Sequence, residues 1–201
     1  MRTSWNDRYG APGYLFGTEP SEFLRRNAGL LAPGSEVLCV ADGEGRNSVH
    51  LAGLGHRVTA FDASEVGVGK ARALAREAGV EVDFNLRAAE DWDWSRGFDA
   101  VVGIFIQFAP PDLRKRLFGW MAGAVRPGGL LLLQGYALRQ VGYGTGGPSD
   151  PGHLYDAPML RRAFAGFEIV SLEDYDRQIR EGPGHSGRSA LVELVARRPA
   201  A

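Results

Sequence analysis

Val37-Leu38-Cys39-Val40-Ala41-Asp42-Gly43-Glu44-Gly45-Arg46-Asn47-Ser48 is the stretch that decides how this chain folds. A short apolar run passes into small and acidic residues and then into a helix start. That order predicts a buried strand, a tight turn and a helix. Glycines in the turn let main-chain N–H groups approach a ligand, and the helix N-terminus behind them favours polar or negative groups. Nineteen residues past Gly43, a second predicted strand, Val58-Thr59-Ala60-Phe61, ends in Asp62. A carboxylate there can accept hydrogen bonds from ribose hydroxyls. Turn and carboxylate together predict a nucleoside-cofactor site.

Working outward, the order of predicted elements is strand, helix, strand, helix. Glu36 to Val40 is the first strand, and a helix starts near Arg46. His56 to Phe61 is the second strand. Ser64 caps a helix whose apolar positions Val68, Ala71, Ala75 and Ala78 recur at helical spacing, and Gly79 closes it. Val80 to Leu86 alternates as a third strand. Ala100 to Ile106 is nearly continuous in apolar residues, as a strand covered on both faces should be. Pro110-Pro111 opens a helix, and Pro127-Gly128-Gly129 turns the chain into a fifth strand, Leu130 to Gln134. This alternation predicts a parallel α/β sheet. Upstream, Pro20 suits a helix start, with Phe23, Leu24, Leu30 and Leu31 on its apolar face. Residues 1–17, with Trp5, Tyr9, Tyr14 and Phe16 among glycines, read as an aromatic flap with little regular structure.

The last third changes character. Residues 137–156 form a loop rich in glycine and proline, long enough to be functional rather than a plain connector. Leu160 to Phe164 is a short helix. Phe167 to Leu172 and Ala190 to Ala196 are two strands joined by a polar stretch, and without a crossover helix they should be antiparallel. The expected architecture is α/β, Rossmann-like, with a mostly parallel seven-stranded sheet, antiparallel C-terminal strands and helices on both faces. Residues 1–201 are expected to make a single domain.

Composition narrows the function classes. The chain has 201 residues, 44% hydrophobic and 23% charged, with a formal net charge of −1, so nothing in its charge balance points to nucleic acid or anionic lipid. Arg114-Lys115-Arg116 reads as the solvated face of a helix. No apolar run approaches the ~20 residues of a membrane helix, and the polar start at Met1 to Asp7 predicts no secretory leader. Cys39, the one cysteine, reads as an inert thiol packed in a strand. A cytoplasmic protein, monomer or homodimer, is expected. No His/Cys/Asp grouping has metal-ligand spacing, so no metal is expected.

Gly43-Glu44-Gly45 alone suits two cofactor classes. The dinucleotide fingerprint needs a glycine where Ser48 stands, which weighs against a nicotinamide-dependent oxidoreductase. Leu38 to Ala52 resembles the first motif of class I S-adenosylmethionine-dependent methyltransferases. Its Gly45-Arg46-Asn47 is most similar to the variety found in the tellurite-resistance methyltransferases. Trp5-Asn6-Asp7-Arg8-Tyr9 with Phe16 resembles the aromatic flap of thiopurine methyltransferases. Phe98-Asp99-Ala100-Val101-Val102 and Arg126-Pro127-Gly128-Gly129 resemble the family's entries into the fourth and fifth strands. The chain departs from the family pattern at Cys39, Ala41 and Ala88.

The resemblance implies S-adenosyl-L-methionine as cofactor and assigns residues to it. Ala41, Gly43, Gly45 and Asn47 would pass along its methionine part. Asp62 would hold the ribose, with Ala63 beside the adenine and Ala89 and Glu90 at the adenine edge. Ile104 would stand near the sulfonium, and Trp5, Tyr9 and Phe16 would close over the site. Arg8 could pair with the cofactor carboxylate.

Methyl transfer from a sulfonium is an in-line displacement in which alignment can supply up to ~7–11 kcal/mol. A thiol or chalcogen acceptor needs little base catalysis, whereas an oxygen acceptor wants a base nearby. Among the histidines, His185, set between small residues in a late turn, is the best candidate; Arg188 and Gln107 complete the catalytic candidates. His50 and His56 read as helix and turn residues, and His153 lies in the glycine-rich loop. The expectation is methyl transfer to a small molecule, with a thiol or chalcogen acceptor favoured by the resemblance. The alternatives are O- or N-methylation of a small metabolite, and a binder of the cofactor or its product that moves no methyl group.

Overall fold

The computed structural model describes residues 4–200. Its seven strands form one mixed sheet, and the chain divides into two compact units. One comprises the residues up to Trp92 together with Glu181–Gly184; the other comprises residues 93–180 and 185 onward.

The first unit opens with helix α1, Trp5–Tyr9, in the aromatic flap expected to have little regular structure. Ser4 and Asp7 build a capping box that fixes it: the Asp7 N–H donates to Ser4 Oγ at 3.1 Å, and the Ser4 N–H donates back to Asp7 Oδ2 at 3.0 Å. Residues 1–3 of the expected flap lie outside the described residues. Helix α2, Glu22–Asn27, is capped by Ser21, one residue past the expected Pro20. It buries Phe23 and Leu24, whereas Leu30, expected on its apolar face, is 45% exposed.

Strand β1, Glu36–Val40, leads through the glycine turn into α3, Arg46–Gly53. Strand β2, Arg57–Asp62, is followed by α4, Glu65–Ala78, capped by Ser64 and closed by Gly79. Strand β3 is Asp83–Leu86, three residues shorter at its start than the alternation suggested. β1 and β3 flank β2, all parallel. Cys39 is buried in β1, and burial pushes its thiol pKa up, which keeps it protonated and unreactive.

In the second unit β4, Phe98–Ile104, runs parallel to β5, Val125–Tyr136, with α5, Pro111–Ala124, between them in sequence. The expected turn at Pro127-Gly128-Gly129 is instead an irregularity inside β5. Phe98 pairs with Val125 and Ala100 already with Leu130, so one residue of β4 faces four of β5. A Cβ on Gly103 would stand 2.9 Å from Met121 Cε, so this glycine lets α5 lie close on β4. Helix α6, Ala157–Ala163, precedes β6, Glu168–Arg180, and β7, Ser186–Arg197. β7 pairs antiparallel with both β5 and β6. The polar stretch Asp174–Arg180, expected as a connector, is strand. It lies in β6, whose residues are mostly exposed and which pairs only with β7, so no core imposes apolar alternation on it.

Candidate functional site

The turn after β1 is built by left-handed backbone. Ala41 has φ 48°, Gly43 φ 63° and Gly45 φ 90°. For Ala41 that conformation costs about 1–2 kcal/mol. Gly45 is also sterically required, because a Cβ there would stand 2.7 Å from Ala71 Cβ on α4. The glycines therefore keep main chain at this end of β1, with the Tyr9 and Ala71 side chains laid close against it.

Asp62 is tied to the same turn. The Gly43 N–H donates to its Oδ2 at 2.9 Å and the Ser64 N–H to its Oδ1 at 2.8 Å. Burial raises its pKa, and the N–H donors of Ser64, Gly43 and Ala63 oppose that rise. A carboxylate has about four lone-pair positions, so with three N–H donors already on it Asp62 retains capacity for one further donor such as a hydroxyl. Asp42, the residue before Gly43, accepts from Ser48 Oγ at 2.5 Å, and burial pushes its pKa up to about 7.

The side chains around the glycines hold the N-terminal segment. Buried Glu44 accepts from the Leu15 N–H at 2.7 Å and from Lys70 Nζ at 2.9 Å. Lys70 also donates to the carbonyls of Ala11 at 2.9 Å and Gly13 at 2.5 Å. Arg46 donates to Glu181 at 2.8 Å. Asn47, expected along the cofactor's methionine part, accepts the Ser21 N–H at 3.0 Å.

Tyr9 covers the turn itself. A Cβ on Gly43 would lie 2.6 Å from its hydroxyl, and one on Gly67 would lie 3.1 Å from its ring. Burial raises the Tyr9 pKa, with the charges of Asp62 and Glu44 adding to it. Trp5 stacks on Tyr9 at 5.3 Å, Phe16 meets Tyr9 edge-on at 6.2 Å, and the Arg8 guanidinium lies 4.3 Å over the Trp5 ring. Four expected residues thus form one aromatic and cationic cluster over the glycine turn. Of the expected adenine neighbours, Ala63 and Glu90 are exposed and Ala89 is buried. Trp92, read in the sequence as packing, stacks on Phe61 at 4.7 Å.

In the second unit, partly exposed Ile104 ends β4. Phe105 follows with φ 56°. The buried His185 ring sits 4.2 Å from Phe105 and 5.5 Å from Tyr136, the latter at 88°. These three rings make an aromatic wall with an imidazole in it. Gln107, expected toward a substrate, instead braces main chain: it donates to the carbonyls of Tyr136 at 2.9 Å and His153 at 3.1 Å and accepts the Tyr136 N–H at 2.6 Å. His153 in turn has Nδ1 3.0 Å from the Gln107 carbonyl. Arg188 is exposed and pairs with Asp176 at 2.7 Å.

Sequence reasoning missed Glu44, Lys70, Phe105 and Tyr136. Glu44 between two glycines was the one visible signal; the others lie on strand ends and a helix face, where periodicity is silent about partners. Among the described residues there is no group of three or more His, Cys, Asp or Glu placed to hold a metal ion, and no helix is long and apolar enough to cross a membrane.

Residues 37–129 match the family model of a methyltransferase domain. A ubiquinone biosynthesis O-methyltransferase of Paramagnetospirillum magneticum is 31% identical over 144 residues, covering 66% of this chain and 57% of the relative. The chain thus spans little more than half the length of the curated relatives it matches. A SAM-dependent methyltransferase of Methanosarcina mazei superposes with TM-score 0.72 at 17% identity, covering 91% of this chain and 100% of that one. TehB from Haemophilus influenzae superposes with TM-score 0.70 at 17% identity, covering 87% of this chain and 61% of that one. The fold is the Rossmann-like fold of the class I methyltransferases.

Proposed function

We propose that this protein is an S-adenosyl-L-methionine-dependent methyltransferase acting on a small-molecule acceptor. The observation that carries the reading is the Gly43–Asp62 hydrogen bond at 2.9 Å, which joins the glycine turn to a buried carboxylate at the end of the next strand. The match of residues 37–129 to a methyltransferase domain supports it.

The residues present fit the cofactor. The left-handed residues Ala41, Gly43 and Gly45 would bring main chain toward its methionine part, and Asp62 retains a lone pair for a ribose hydroxyl. Ala63, Ala89 and Glu90 would border the adenine, and Ile104 would stand toward the sulfur. Trp5, Tyr9 and Phe16 would exclude water, with Arg8 available to a carboxylate. Bound there, the cofactor supplies an electrophilic methyl group on a sulfonium.

On the acceptor side, His185 would take a proton, and the partly exposed Phe105 ring, backed by Tyr136 and His185, would offer a face to a flat, apolar acceptor. A histidine in that wall supports an oxygen acceptor, in keeping with the relative named as an O-methyltransferase. A thiol or chalcogen acceptor is the second reading, supported by the resemblance of Gly45-Arg46-Asn47 to the motif of the tellurite-resistance methyltransferases. Calorimetry with S-adenosylhomocysteine and with NAD tests the cofactor: the former should bind and the latter should not. Binding of NAD alone would overturn the reading. Binding of S-adenosylhomocysteine without methyl transfer to phenols, thiols or selenite would leave a non-catalytic binder.

A further inference from the structure

The glycine- and proline-rich segment after β5 is pinned rather than loose, and the pin is polar. Leu138–Gly142 forms a 3₁₀ turn. From it Arg139 donates through Nε to Asp176 at 2.8 Å, and through Nη1 to Asp174. Tyr143 donates its hydroxyl to the other Asp176 oxygen at 2.5 Å. From β7, Arg188 reaches that same oxygen at 2.7 Å, and its guanidinium lies 4.8 Å from the Tyr143 ring centroid. Thr145 donates to the Arg188 carbonyl at 2.5 Å. Gln140 accepts the Ala190 N–H at 2.8 Å and donates to the Gly146 carbonyl at 3.0 Å. Gly187 permits the contact, since a Cβ there would stand 2.6 Å from Thr145 Cγ2. Gly147 then lies against Tyr136, where a Cβ would come within 2.8 Å of the ring.

Asp176 is thus a single carboxylate gathering two arginines and a phenol, from the loop and from the neighbouring strand. We propose that Asp176 is a positioning residue that holds residues 139–147 on the β6–β7 hairpin and so keeps the Tyr136–His185 wall covered. This rests on the reading of that wall as the acceptor's. These groups lie at the surface, so the restraint responds to ionic strength where a hydrophobic clasp would not. Three donors hold the Asp176 pKa down to about 2, so its charge persists across ordinary assay conditions.

The test is modification of His185 by diethyl pyrocarbonate at pH 7, read by peptide mass spectrometry with His50 as internal reference. Asp176→Ala should speed carbethoxylation of His185 at least five-fold with His50 unchanged. The unmutated protein in 1 M NaCl should shift the same way relative to 20 mM, a comparison that needs no variant to fold. Amide hydrogen exchange over 143–149 should quicken at least ten-fold in parallel. An unchanged His185 rate in both arms overturns the proposal, as does an equal rise at His50, which would mean general loosening. S-adenosylhomocysteine binding is measured on the same unmutated protein: its absence would count against the methyltransferase reading and leave the loop result standing.

Discussion

The Arg46 guanidinium donates to the Glu181 carboxylate at 2.8 Å across 135 residues of sequence, with both side chains nearly excluded from water. Glu181 also accepts the Glu22 N–H at 3.3 Å, and Arg46 reaches the Glu19 carbonyl at 3.4 Å. This pair joins the helix behind the glycine turn to the residues that link β6 and β7. Removing one member leaves a buried charge without its partner, at a cost of about 3–5 kcal/mol. Glu181→Ala is expected to lose that much stability in urea unfolding. The pair Arg46→Met with Glu181→Leu should recover most of it, because two apolar groups leave no charge behind. A single variant within 1 kcal/mol of the parent would show the pair to be hydrated.

Gly43 and Tyr9 are expected to act as a unit. Gly43→Ala places a Cβ 2.6 Å from the Tyr9 hydroxyl on a backbone with φ 63°. The strained conformation costs about 1–2 kcal/mol whatever the space; the clash adds to it. Tyr9→Phe should relieve the clash and leave the strain. A double-mutant cycle read by denaturant midpoints should therefore show coupling of at least ~0.5 kcal/mol. Additive losses would mean that Tyr9 moves aside freely.

Asp62→Ala should weaken S-adenosylhomocysteine binding about 10- to 150-fold. That corresponds to the ~1.5–3 kcal/mol of a hydrogen bond to a charged group. Titration calorimetry on protein confirmed folded by its far-UV spectrum checks this. Unchanged affinity would remove Asp62 from the site and confine it to bracing the Gly43 and Ser64 N–H groups.

Asp42 makes stability depend on pH. Burial lifts its folded-state pKa to about 7, above the ordinary aspartate value of 3.8. Between those values the unfolded chain has released the proton and the folded chain still binds it. Stability from this group is therefore greatest below pH 4, falls as pH rises toward 7, and is flat above. Asp42→Asn removes the dependence. It should raise stability at pH 8 by about 1–2 kcal/mol, because partial exposure of the residue discounts the full ~4 kcal/mol that a rise from 3.8 to about 7 would carry. At pH 4.5 the gain should shrink toward zero. A pH-independent difference would indicate that loss of the Ser48 contact, not the charge, is what the substitution changes.

Much of this was legible along the chain. The apolar run at Glu36 to Val40 predicts a strand and β1 lies there, because a covered strand shows itself as an apolar run. The helix from Ser64 to Gly79 was read from its caps and spacing, both of which are local. The polar strand Asp174–Arg180 was not legible, since an edge strand on a solvated face carries no alternation. Neither was the occupation of Gln107, whose main-chain partners lie 29 and 46 residues away. His185 was singled out, but its aromatic neighbours Phe105 and Tyr136 were not.

The sequence by itself determined the alternation of strands and helices, the glycine turn and the acid that follows it on β2. These are set by periodicity, capping and φ preference, which act within a few residues. Only the tertiary structure decided that Tyr9 lies on Gly43, that Asp176 gathers Arg139, Tyr143 and Arg188, and that the glycine-rich segment is held rather than free. Those outcomes depend on hydrogen bonds and close approaches between residues far apart in the chain, and side-chain reach in three dimensions leaves no trace in one.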